Sequence, residues 1–299
     1  MKTATNKARA TVGIIGGSGL YEMDGLSQVR KASVRTPFGR PSDAVVLGTL
    51  DGVRVAFLSR HGRGHRFNPG EINYRANIYA LKSLGVHRVI SISAVGSMKE
   101  TIKPGEVVLP DQFIDLTKRR MSTFFEGGVV AHVAFGDPVC RSLARSLSKA
   151  AHEAGAAVHE GGTYLCIEGP QFSSRAESLL YRKWGVDVIG MTNMPEAKLA
   201  REAELCYATV ALVTDYDCWH ETEEAVTVEA ILATLRNNVA LAKRLLRKAL
   251  ESTGIEQTGC ACGQALRDAL VTDPRTIPTE TRKRLDLLIG RYLNVTREA

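Results

Sequence analysis

The chain has 299 residues, 44% hydrophobic and 24% charged, an ordinary globular balance that can bury a large core without disulfides or metals. Its formal charge of +7 suits a small anionic substrate, while scattered basic residues and only 6% aromatics argue against nucleic-acid binding. No apolar run approaches the roughly 20 residues that span a bilayer, and the polar, basic stretch 1–10 lacks the apolar centre of a signal peptide, so a cytoplasmic protein with a frayed, disordered start is expected.

Val12-Gly-Ile-Ile-Gly16 reads as a buried strand entering a glycine turn. Ala44–Leu50 and Val53–Ser59 flank Asp51-Gly52, a strong hairpin signal. Glu71–Leu84 fits a helix closed by Gly85, and Arg88–Ser93 a buried strand leading into Ala94-Val95-Gly96. Asp137 is placed to cap a helix with Pro138 at its first position, running to about Glu153. A strand is expected at Tyr164–Ile167, a helix at Ser174–Trp184 and a short strand at Val186–Ile189. A helix at Pro195–Glu204, a long apolar strand at Cys206–Thr214 and an amphipathic helix at Thr227–Leu250 follow. After a polar break at Glu251–Gly259, two short helices are expected at Gln264–Leu270 and Thr279–Arg291. Strands alternating with helices imply an α/β fold: one domain over 11–250, with a helical extension at 251–299 packed on it.

Five segments carry chemistry. Gly13-Ile-Ile-Gly16-Gly17-Ser18-Gly19 can converge backbone N–H groups and a hydroxyl on an anion; it is neither a Walker loop nor a dinucleotide fingerprint, and a merely tight turn is the alternative. Ser59-Arg60-His61-Gly62, with His65 and Arg66 close by, offers forked and ring donors suited to phosphate, a flexible surface loop being the alternative. Ser93-Ala94-Val95-Gly96 and Met191-Thr192-Asn193-Met194-Pro195-Glu196 each place hydroxyl and backbone donors at a strand end. Asp215 and Asp217 close the longest apolar strand; in extended chain they point the same way and perturb each other's ionisation, unless they bind a metal or sit in a solvated turn. The basic stretches Lys118-Arg119-Arg120 and Lys243, Arg244, Arg247, Lys248 read as solvated surface. None of the six cysteines is paired at zinc-finger spacing; Cys260-Ala261-Cys262 is either a small, strained disulfide or two free thiols.

Gly13–Leu20, Ser59–Gly62, Tyr164-Leu-Cys-Ile-Glu-Gly-Pro-Gln-Phe172-Ser-Ser-Arg-Ala-Glu177, Met191-Thr192 and Thr214–Trp219 together resemble the 5'-methylthioadenosine phosphorylases, in the trimeric branch of the purine nucleoside phosphorylases. The resemblance spans roughly Val12–Leu250 and weakens beyond, where some thermophilic members carry a similar Cys-x-Cys tail. It implies the nucleoside phosphorylase fold, a central mixed twisted sheet flanked by helices. It implies a phosphate site from Ser18, Arg60, His61, Ser93, Ala94 and Thr192, with Ser at 18 and 93 where many relatives have Thr. Met191 would lie against the ribose and Phe172 against the base, while Asp215 and Asp217 would bind the purine edge as the catalytic pair. Val228 and Leu232, with His132 from a neighbouring subunit, would line the 5' pocket. It also implies a homotrimer, or a hexamer of two trimers, no membrane or nucleic-acid partner, and no metal or organic cofactor, inorganic phosphate being a co-substrate. Asn193 beside Thr192 is unusual. The rival readings are a water-using nucleosidase, a non-enzymatic nucleotide- or nucleic-acid-binding protein, against which the few aromatics argue, and, nearer, a purine nucleoside phosphorylase acting on adenosine or 6-oxopurine nucleosides.

Overall fold

The computed structural model describes residues 10–17, 20, 23–220, 228–251 and 260–293, without the side chains of 228–233 and 235. Ser18 and the side chains of Val228 and Leu232 lie outside that description.

Strands β1 (Val12–Gly16), β2 (Ser27–Ala32), β3 (Val45–Leu50), β4 (Val53–Ser59) and β5 (Arg88–Ser97) are followed by β6 (Val107–Leu109) and β7 (Gln112–Asp115). Then come β8 (Val158–Glu160), β9 (Thr163–Cys166), β10 (Val188–Gly190) and β11 (Cys206–Asp215). One mixed sheet runs β2-β3-β4-β1-β5-β10-β9-β7, and a branch leaves β5 through β11 to β6 and β8. β5 forks the sheet because its ten residues serve three neighbours: Arg88–Ser91 pair with β1, Gly96 and Ser97 with β10, and Arg88–Gly96 with β11. The Asp51-Gly52 hairpin forms as expected, both residues at positive φ (47° and 80°), the twist that a two-residue connection needs.

Helices α1 (Tyr74–Ser83), α2 (Arg141–Glu153), α3 (Arg175–Lys183), α4 (Glu196–Glu202), α5 (Val228–Glu251) and α6 (Thr279–Leu293) flank the sheet. The central strands are apolar at nearly every position because both faces are covered. Ile15, Val89, Ala211 and Val213 face one core with Ile78, Leu81, Leu199 and Ala200 of α1 and α4. Ile14, Ile90, Val210 and Leu212 face another with Leu143, Leu147, Leu245 and Leu246 of α2 and α5. Period-two alternation thus sorts one buried strand into two cores.

Strands β2, β6, β7 and β8 were not expected from the sequence, α1 starts later and β5 ends later than read, and two further helices differ. α2 starts at Arg141 with Cys140 as N-cap, and Asp137 pairs with Arg141 across the surface instead of capping. No α-helix forms over 264–270: a 3₁₀ turn at Ala261–Gln264 leads to Leu270, which bridges Ala131. That segment follows the loop it covers, so tertiary pairing overrides helix propensity. Residues 260–293 place Leu266, Ile277, Leu285, Leu288 and Ile289 in the first core.

Candidate functional site

β4, β1, β5 and β11 run parallel, so their carboxyl ends open on one edge of the sheet, where such folds hold ligands. At that edge Arg60 N donates to Gly16 O at 3.0 Å, joining the glycine turn to the Arg-His loop. A Cβ on Gly16 would lie 2.4 Å from Leu20 Cδ1 and 3.2 Å from Ile92 Cβ, so the turn is closed to any side chain.

Arg60 is 2% exposed, and its fork points into the protein. Nε donates to Glu196 Oε2 (2.9 Å) and Nη2 to Glu196 Oε1 (3.1 Å) and Ser91 Oγ (2.6 Å), while Nη1 donates to Ile92 O (2.9 Å). Burial alone would lower its pKa, but Glu196 overrides that and holds it raised. The same Glu196 Oε1 accepts from Ser91 Oγ and Tyr207 Oη, and Asn193 Nδ2 donates to Tyr207 Oη at 3.0 Å. Asn193, next to Thr192, is therefore the far end of the network that fixes Arg60. What the forked donors suggested as a direct two-point phosphate clamp is a buried ion pair with one Nη1–H not engaged by an acceptor among the described residues.

His61 Nδ1 lies 2.9 Å from Phe67 O, an acceptor only, so Nδ1 carries the proton and Nε2 presents a lone pair. Burial, with Arg60 and His65 nearby, lowers its pKa to about 4. Ser93 Oγ and Thr192 Oγ1 meet at 3.1 Å, and Tyr164 Oη stands 3.3 Å from Ser93. Ala94 is exposed at the same strand end.

Asp215 and Asp217 come together, but not by extended-strand alternation. β11 ends at Asp215, and Asp217 sits at φ +55° opening a 3₁₀ turn. Asp217 N donates to Asp215 Oδ1 (2.9 Å), and Thr214 Oγ1 to Asp215 Oδ2 (2.6 Å). Both crowd Gly96, where a Cβ would stand 3.0 Å from Asp215 Oδ1 and 3.3 Å from Asp217 Cβ. Burial pushes the Asp217 carboxyl up and the Asp215 charge adds to it, against the Ser178 hydroxyl that donates to Asp217 Oδ2 at 2.5 Å.

Met191 packs on Gly169, where a Cβ would meet its sulfur at 2.5 Å, while Phe172 is 77% exposed and His132 is exposed. His132 N donates to Ala269 O, tying its loop to the C-terminal segment. Sequence reasoning missed Arg120, read as solvated surface. Its side chain is 1% exposed and donates to the carbonyls of Glu168, Met191 and Met194, each at 2.6 Å. It clamps the two segments that carry Phe172 and Met191, and no periodicity in the sequence marks it. Ser178 was missed because its only signal is a place on a capped helix, with Ser174 and Glu177 forming the capping box.

A half-buried acid beside a second carboxylate, a pair of hydroxyls and a basic loop, all at the carboxyl ends of one sheet, define an anion-and-base site of the phosphorylase kind. The family profile described as the phosphorylase superfamily matches residues 11–251. S-methyl-5'-thioadenosine phosphorylase of Geobacter sulfurreducens is 62% identical over 283 residues, 94% of this chain and 99% of that one. The protein of the same name from Koribacter versatilis is 58% identical over 95% of this chain and 97% of its own. Among solved structures, a methylthioadenosine phosphorylase from an Antarctic soil metagenomic library superposes with a TM-score of 0.91 at 53% identity, covering 94% of this chain and 99% of that one. A mutant adenosine/methylthioadenosine phosphorylase of Schistosoma mansoni in complex with adenine gives 0.82 at 36% identity, covering 88% and 99%. This chain belongs to the phosphorylase superfamily and, within it, to the methylthioadenosine phosphorylase family.

Proposed function

We propose that this protein is a phosphate-dependent enzyme that cleaves 5'-methylthioadenosine to adenine and 5-methylthioribose 1-phosphate, a step of purine and methionine salvage. The observation that carries the reading is Asp217, a half-buried carboxyl held above its ordinary pKa beside Asp215, at the sheet edge that also bears Ser93 and Thr192. Relatives 50–62% identical over nearly the whole chain bear the name S-methyl-5'-thioadenosine phosphorylase.

Glycosidic cleavage builds positive charge on the ribose and negative charge on the purine, and phosphate then captures C1'. The protein supplies position and electrostatics, not a covalent nucleophile. Protonated Asp217 donates to adenine N7, and Asp215 accepts from the 6-amino group. Phosphate rests on Ser18, Ser93, the Ala94 backbone and Thr192. His61, neutral, offers Nε2 to the hydroxyl of hydrogen phosphate, and Arg60 gives the field of its buried charge and one N–H. Met191 lies against the ribose and Phe172 against the base. No cofactor enters this reaction. We read 251–299 as an extension of the single domain, and the assembly as a trimer or a pair of trimers, in which exposed His132 reaches a neighbour's 5' pocket beside Val228 and Leu232. Among the described residues no helix is long and apolar enough to cross a membrane; a cytoplasmic location completes the reading.

Release of free base from methylthioadenosine, adenosine and inosine, assayed in parallel with and without phosphate, tests it. Phosphate-dependent cleavage that favours methylthioadenosine is expected. Phosphate-independent cleavage, or a preference for inosine, would overturn it.

A further inference from the structure

Away from the phosphate edge, Cys140, Cys206, Cys260 and Cys262 gather from three distant stretches of the chain, their four sulfurs all within 4.8 Å of one another. Cys206 Sγ and Cys260 Sγ are 3.3 Å apart, and all six cysteines are free thiols. Cys140 is the N-cap of α2, Cys206 is the first residue of β11, and Cys260 and Cys262 begin the C-terminal segment. Three of the four residues are buried.

We propose that these four cysteines form a structural zinc site. A tetrahedron of thiolates with zinc–sulfur bonds of about 2.3 Å has sulfur–sulfur edges of about 3.8 Å, within the spread seen here. Two disulfides would need only two close pairs; here every sulfur is near every other. Four soft ligands without an open position select zinc in a closed, non-catalytic geometry. On binding, four S–H bonds break, four Zn–S bonds form and four protons leave to solvent, with no electron transferred. The amino end of α2, thirteen residues long and capped by Cys140, offsets part of the negative charge of the complex. The cluster sits at the opposite end of β11 from Asp215, ten residues along one strand or roughly 30 Å away. The zinc therefore acts on stability: it pins residues 260–293 to the start of α2 and β11. The expectation of no metal rested on spacing along the chain and on the family resemblance, and this set is assembled only by the fold.

Untagged protein, purified under reducing conditions without chelator and desalted, should carry about one zinc per chain by plasma mass spectrometry, and Cys140→Ser and Cys262→Ser should each lose it at least tenfold. Removing the zinc with a thiol-binding mercurial should lower Tm. Should these variants fail to fold, wild-type protein reloaded with cobalt(II) should show thiolate-to-metal charge transfer and the intense visible bands of a tetrahedral site. Metal-free protein that takes up neither zinc nor cobalt overturns the proposal. So does loss of four titratable thiols restored by reductant, which would mark two disulfides, and iron at full occupancy would overturn the choice of zinc.

Discussion

Arg60 and Glu196 face each other in a buried two-pronged ion pair, Nε to Oε2 at 2.9 Å and Nη2 to Oε1 at 3.1 Å, under the loops that end β1, β4 and β5. Removing one partner leaves the other charged and unpaired in the core, which costs about 3–5 kcal/mol. Glu196→Ala should therefore lower unfolding stability by that amount in urea. It should also raise the phosphate KM, because Arg60 and the strand ends it ties together lose their support. A change below about 1 kcal/mol, the scale of an exposed pair, would contradict the structural role.

In the proposed mechanism Asp217 acts in its protonated form. Its pKa is raised by burial first and by Asp215 next, so kcat/KM for methylthioadenosine should fall as pH rises through that pKa. The Ser178 hydroxyl donates to Asp217 and favours the ionised form. Ser178→Ala should push the pKa further up and carry the alkaline limb to higher pH. A limb that stays in place, or moves to lower pH, would exclude Asp217 as its source. Asp217→Ala should mainly lower kcat.

In the proposed mechanism Asp215 sets the choice of base. An ionised carboxylate accepts from the 6-amino group of adenine but meets the 6-oxygen of hypoxanthine as a second acceptor, and an unpaired buried polar group can discriminate by factors of about 10⁴. Asn presents either its NH₂ or its oxygen. Asp215→Asn should admit inosine and weaken the preference for 6-aminopurines, as read from kcat/KM for the two nucleosides. Unchanged discrimination would place the selectivity elsewhere.

Glu202 gives a pH signature independent of catalysis. Burial pushes its carboxyl up to about 7, although Phe124 N and Thr123 Oγ1 both donate to it at 2.7 Å. The unfolded value is about 4.3. Because the folded value is the higher one, the stabilisation is complete below about pH 4.3 and is lost as pH rises to about 7. Glu202→Gln should remove that slope and leave the protein on the order of 1–3 kcal/mol more stable than wild type at pH 8. Equal stability of the two proteins across that range would contradict it.

Much of this was legible in the sequence because it is local. The Asp51-Gly52 turn, the Ser174–Glu177 capping box and the apolar run of β11 each announce an element within a few residues. The strand-end clusters of hydroxyl and acidic residues were visible for the same reason. What stayed hidden depends on residues far apart in sequence: Glu196 against Arg60, Arg120 against the Met191 carbonyl, and Cys140 against Cys206 and Cys260. Asp215 and Asp217 were correctly paired on an incorrect premise, since a left-handed Asp217 and not an extended strand brings them together.

The central claim is that phosphate, not water, takes the ribosyl group. Phosphorus NMR of the reaction with methylthioadenosine tests it most directly: the inorganic phosphate signal should fall as a sugar 1-phosphate signal grows, mole for mole with adenine released, and no adenine should form without phosphate. Adenine released with the phosphate signal unchanged, accompanied by free methylthioribose, would contradict it.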